Sequence, residues 1–344
     1  MELTDPEQSP EIDSVAFALH SMHLAICTAA FAFNSLLLYL IRKCAVFHPH
    51  MKIIMINQTL AVMAAIVYLL LRSTLGLWQT YDGPAKEPVV IVDDSQCAFS
   101  SSVPDSLCML FIWFPFLLLI ERYYATRNFR NYENLETPVV FKVLCGVMWL
   151  PMVTEMLAFL FNHSLPSNLQ ACQYSLLQQS HMQRNVWFII IAVFSVTFSV
   201  FFKLLEIQNK RIDQYSVEQD YAFGPRYQIR ENVRTCRFAF SLLFLYFIFF
   251  FVFFVFDQNL ETREEVRMNA AARREYLFLI FPIFALIYSL HFLTANNQLF
   301  ETAKRTFQQY YHPEHGNKPS DKKLAAPSVC FRNRSAFRDE TRSN

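Results

Sequence analysis

Seven separate stretches of this chain are each long and apolar enough to cross a lipid bilayer, and no other feature constrains the fold so tightly. A helix needs about 20 mainly apolar residues to span a hydrocarbon layer roughly 30 Å thick. Such stretches fall at about 17–41, 53–71, 99–124, 139–161, 186–202, 238–256 and 276–295. No Asp, Glu, Lys or Arg occurs between Asp13 and Arg42, whereas Glu155 interrupts the fourth stretch. Apolar residues fall on every side of these segments, as helices that contact lipid require, and the short alternating strands of a membrane barrel would look different. Charged residues make up 17% of the chain, below the quarter or so usual for soluble domains. The expected fold is an all-α membrane protein, a seven-transmembrane helix bundle occupying residues 1–311.

Lys and Arg are distributed unevenly about these spans, and that asymmetry orients a membrane protein. With the amino terminus outside, 23 of them fall on the inner side and 7 on the outer. The last outer connection, with Arg263, Arg267, Arg273 and Arg274, runs against the trend. The first sixteen residues are acidic and lack the basic start of a cleaved signal peptide, so the first span is expected to remain as an anchor. After the seventh span, residues 297–311 place Leu299, Phe300, Ala303, Phe307 and Tyr310 at helical spacing, with Glu301, Lys304, Arg305 and Gln308 opposite. That pattern predicts a short amphipathic helix on the inner membrane surface. Residues 312–344, rich in Pro, Ser, Lys and Arg, are expected to be a disordered cytoplasmic tail.

Several function classes are poorly supported. Only 5 glycines are present, too few to supply a phosphate-cradling loop, and no H-E-x-x-H, G-x-S-x-G or C-x-x-C occurs. No enzyme, cofactor, metal ion or nucleic-acid partner is expected. His20 and His23, near the outer end of the first span, are read as interfacial packing rather than ligands. A transporter or channel subunit is one class open to such a bundle, but such chains usually show internal repeats and several charges near the midplane.

Cysteine placement follows the topology. Of 8 cysteines, Cys97 and Cys172 fall in or beside outer loops. The oxidising exterior suggests one disulfide between them, the alternative being two free thiols. Cys44, Cys145, Cys236 and Cys330 lie towards the reducing side and are expected to be free.

The third span ends in Glu121-Arg122-Tyr123. Cys97 and Arg122 are separated by about 37 Å of helix at 1.5 Å per residue, enough to join the two membrane faces. A cysteine at the outer end of helix three, an acid-Arg-Tyr motif at its inner end and a cysteine in the next outer loop resemble the rhodopsin-like receptors. Residues 121–134 (ERYYATRNFRNYEN), 227–234 (YQIRENVR) and 47–52 (FHPHMK) are similar to stretches of the nematode serpentine chemoreceptors of the Sra superfamily, most of all its Sre family. The resemblance implies a G-protein-coupled chemosensory receptor in the plasma membrane, including that of sensory-neuron cilia. It would detect a small external chemical and activate a heterotrimeric G-protein. The pattern departs from the rhodopsin-like one where Ala64 replaces a buried Asp, where Pro282 and Tyr288 do not form N-P-x-x-Y, and where helix six lacks C-W-x-P. The sodium-linked and proline-hinged steps of that larger family are therefore not carried over.

Arg226, Arg230, Arg234 and Arg237 are spaced to form one basic stripe if helix six extends beyond the membrane. The stripe would contact the G-protein or anionic lipid headgroups. Glu231 is a candidate partner for Arg122, whose alternative role is to snorkel to the interface. Asp105 and Glu155 are candidate ligand-contacting acids, because an acid inside a bundle is costly; a wet surface or a neighbouring helix would equally accommodate them. Asn162-His163-Ser164 is an outer glycosylation acceptor. The matching triplets at Asn57 and Asn333 fall in the membrane and the cytoplasm.

Overall fold

The computed structural model describes residues 10–43, 47–81, 110, 113–129, 132, 138–161, 181–218, 223–262 and 270–311. No strand occurs among the described residues. Among the described residues eight helices run in order: α1 (Pro10–Lys43), α2 (Pro49–Tyr81), α3 (113–127), α4 (Pro138–Phe161), α5 (His181–Glu218), α6 (Phe223–Thr262), α7 (Ala270–Ala295) and α8 (Asn297–Tyr311). Three of them open on proline, whose fixed φ and missing N–H cost nothing in the first turn. Five contain spans long and apolar enough for a membrane: Phe17–Lys43, Pro49–Trp78, Ile189–Tyr215, Arg226–Phe256 and Tyr276–Ala295. α4 adds the shorter apolar stretch Val139–Thr154.

Besides an apolar interior, the bundle carries many large apolar side chains on its outside. Ile189, Val193, Val196, Val200, Leu204 and Ile207 form an exposed stripe along α5, while Ser195, Glu206 and Asn209 point inward and are buried. α4 exposes Val139, Val143, Val147 and Leu150 in the same way. Apolar stripes of this length are surfaces for lipid to cover. The fold is an all-helical seven-span bundle.

α1 packs on α2 and α7, α2 on α4 and α7, and α6 on α5 and α7. Polar side chains tie these pairs across the apolar interior. Asn34 donates to the Ala285 carbonyl at 3.1 Å, Gln58 to the Tyr246 hydroxyl at 2.7 Å, and Trp149 to Asn57 at 3.1 Å. Hydroxyls without a cross-helix partner, such as those of Thr28 and Thr74, bond the carbonyl four residues back. Where water is absent, every polar group needs such an outlet. Rings of Tyr246, Phe249, Phe281 and Phe284 fill the α6–α7 contact with centroids 4.3–5.2 Å apart.

α1, α2, α5, α6 and α7 all exceed their expected spans, α5 and α6 by the most. α5 continues past 202 to Glu218, and α6 begins at Phe223 rather than near 238. Lys, Arg, Asp and Glu end the hydropathic signal there, but they are compatible with a helix and pair across the two. The chain divides into two units, Met1–Phe300 and Glu301–Asn344. α8 begins in the first and continues in the second, where Glu301, Lys304, Arg305 and Gln308 are exposed.

Candidate functional site

The carboxy-terminal end of α3 carries a concentration of buried polar groups. Glu121 and Arg122 are both fully buried. Adjacent residues on a helix point about 100° apart, so only long side chains turned along the axis can meet. Arg122 does so, donating from Nε and Nη2 to the two Glu121 carboxylate oxygens. Its Nη1 donates to Oδ1 of Asn232 on α6 at 3.0 Å. Gln228, one turn earlier on α6, approaches the same oxygen at 3.4 Å. The backbone carbonyl of Arg122 accepts from Thr126, and Asn209 of α5 donates to the Thr126 hydroxyl at 2.9 Å.

The opposite side of Glu121 faces the start of α2 and the segment after α3. Tyr132 is buried and donates its hydroxyl to Glu121, and that hydroxyl lies 3.4 Å from His50 Nδ1. Burial, reinforced by the Glu121 charge, holds the Tyr132 phenol far above its ordinary range, so it keeps its proton and donates. His48 precedes α2, with its ring 4.1 Å from that of Tyr132, and Phe141 stacks on His50 at 4.7 Å. Burial and the neighbouring His50 push the His48 imidazole down to about 4 against the opposing pull of Glu121, so it is neutral at pH 7. One ligand atom each from His48, His50 and Glu121 lies within 4.8 Å of the others. This group was not foreseen as a metal-ligating set.

The site therefore gathers α2, α3, α5 and α6 around one ion pair. Breaking a buried pair by removing one partner typically costs about 3–5 kcal/mol, because the remaining charge is stranded. Arg122 does not snorkel; it is enclosed. Its hydrogen bonds go to Glu121 and Asn232, and the charge of half-buried Glu231 acts on it as well. Tyr123 is exposed.

The basic stripe of α6 is only partly open. Arg230 pairs with Asp213 of α5 at 3.5 Å, and Arg237 with Glu206 at 3.3 Å. Glu206 is buried and also receives Lys203 at 2.9 Å and Lys210 at 2.7 Å. Arg226 is half-buried and Arg234 exposed. Cys97, Cys172, Asp105 and Asn162 lie outside the described residues, as does the side chain of Glu155. Cys145 and Cys236 are buried free thiols. His23 is buried, and the half-buried His20 ring packs so closely on Gly76 that a Cβ there would come within 2.5 Å of it.

Asn209, Asn232, Tyr132 and the histidine pair were missed from the sequence. Their signal was weak: each is a single polar residue whose partner lies on another element.

Comparison with known proteins gives two findings. A family model described as "Serpentine type 7TM GPCR receptor class ab chemoreceptor" matches residues 12–316. "Serpentine receptor class alpha/beta-14" of Caenorhabditis elegans is 23% identical over 325 residues, covering 85% of this chain and 77% of that protein. The match falls on class ab rather than on the Sre family suggested by the inner stretches.

Proposed function

We infer a mechanism from one premise: this chain belongs to the serpentine class ab family of seven-transmembrane, G-protein-coupled chemoreceptors. It is a multi-pass membrane protein and a chemosensory receptor. Membership in a receptor class implies a G-protein and a small-molecule ligand as partners. The proposed setting is the plasma membrane, with the amino terminus outside and the tail in the cytoplasm.

The buried Glu121–Arg122–Asn232 chain carries the mechanism. It closes the inner end of α3 against α6, and closure of this kind defines the resting conformer. A ligand shifts the population by binding more tightly to the conformer in which α6 has moved away. Arg122 then gives up the Asn232 oxygen and becomes available to backbone carbonyls of an inserted G-protein helix. Asp105 and Glu155 remain the proposed ligand-contacting acids, and the exposed Arg234 a contact for the G-protein.

Arg122→Ala tests the switch. Membranes matched for surface receptor level would be challenged with volatile and pheromone-like compounds while guanine-nucleotide exchange is followed. The variant is expected to lose compound-dependent exchange by about tenfold or more while retaining surface expression. Normal exchange at equal expression would defeat the switch role and leave the seven-span fold untouched.

A further inference from the structure

We propose that His48, His50 and Glu121 form a binding site for a divalent transition-metal ion of the zinc class, and that this ion competes with the Arg122 guanidinium for the Glu121 carboxylate. Two imidazoles and one carboxylate are the donor set of three-ligand zinc sites, which leave a fourth position to water or another oxygen. Magnesium and calcium prefer shells of oxygen and are poorly matched to it. The three ligand atoms already lie within 4.8 Å of one another. Tetrahedral coordination at 2.0–2.1 Å places ligands about 3.4 Å apart, so the group must contract by roughly an ångström. His48 has room to supply that movement, because it is only half-buried and precedes the first turn of α2. Pro49 between the two histidines fixes one backbone angle of their spacing.

Two further observations point to a ligand. Among the described residues, His48 Nδ1 is buried without a hydrogen-bond partner, an arrangement that costs free energy until something occupies it. Tyr132 bonds Glu121 and approaches His50, the place of an outer-shell group that orients ligands or of a fourth oxygen donor.

Competition follows from charge. Glu121 and Arg122 neutralise each other in a fully buried pair. A divalent ion added beside them would face the guanidinium across a few ångströms of poorly screened interior. One cation must leave, and Arg122 already has an alternative acceptor in Asn232. The competition thus rests on the ion pair assigned above to the switch, whereas the metal site itself does not require the chain to signal.

The full-length receptor in lipid nanodiscs would be titrated with Zn²⁺ by calorimetry and with Co²⁺ by the visible absorption of tetrahedral cobalt. One saturable equivalent is expected. His48→Ala and His50→Ala should each weaken it by at least about tenfold, since losing a ligand costs no less than losing an outer-shell partner, while His20→Ala, outside the cluster, should not change it. Arg122→Ala should tighten binding at least about tenfold by freeing the carboxylate. His48 is exposed enough for its variant to fold even if that of buried His50 does not. Absence of a saturable cobalt band, or wild-type affinity in His48→Ala, would overturn the site. Unchanged affinity in Arg122→Ala would overturn the competition. No G-protein or odorant enters the measurement, so a failure here is distinct from a failure of the receptor mechanism.

Discussion

At the scale of single residues, Asn232 is the most informative position. Its Oδ1 is the contact between the α3 ion pair and α6, and it accepts a charge-assisted hydrogen bond from Arg122 at 3.0 Å. A hydrogen bond to a charged group contributes about 1.5–3 kcal/mol. Asn232→Ala removes it from the closed conformer alone, so ligand-free nucleotide exchange is expected to rise by about tenfold or more, measured in membranes at matched expression. Unchanged basal exchange would show that the contact does not hold α6. Neither Asn232 nor its role was legible in the sequence, although Arg122 was. A basic residue beside an acid at the end of an apolar span stands out in one dimension. An asparagine within a polar stretch does not, because its meaning comes from a partner 110 positions away on another helix. The same holds for His48 and His50, quoted in the sequence only as part of a family-like stretch, whose third ligand lies on α3.

At the scale of elements, the carboxy-terminal end of α5 and the amino-terminal end of α6 depart most from the apolar runs of the sequence. The apolar runs ended near 202 and began near 238, yet the helices continue to Glu218 and from Phe223. Hydropathy measures what lipid tolerates, not where hydrogen-bonded turns stop, and charged residues with good helix propensity prolong a helix in water. Pairing across the two helices then fixes the extension. Glu206 takes Lys203 and Lys210 from its own helix and Arg237 from α6. All three cations are about half-exposed or more, so screening limits their contribution. Glu206→Gln should loosen the inner part of α6 by about 1 kcal/mol, roughly fivefold faster amide exchange across residues 226–237 under native conditions. Exchange equal to wild type would mean that apolar packing alone holds the extension.

At the scale of the whole molecule, the five long apolar spans of the described residues were legible because each is a property of local composition, and only their packing required three dimensions. The proposed orientation rests on the 23-to-7 division of Lys and Arg. Epitope tags at the two ends should stain without permeabilisation at the amino terminus and only after it at the tail. Non-reducing peptide mapping should recover Cys97 and Cys172 as one linked species on the same outer side. Surface staining of an intact-cell tail would reverse the orientation. The bond from Asn34 to the Ala285 carbonyl has a further consequence, which concerns time rather than space. Those two residues are 251 positions apart. At the usual 5–20 residues per second of synthesis, about 13–50 s separate the making of the first helix from that of its partner. Throughout that interval the Asn34 amide has only the Ala30 carbonyl of its own helix, and the α1 face that will meet α7 has no native neighbour. Until the seventh helix is made, that face of α1 is left to lipid or to the insertion machinery.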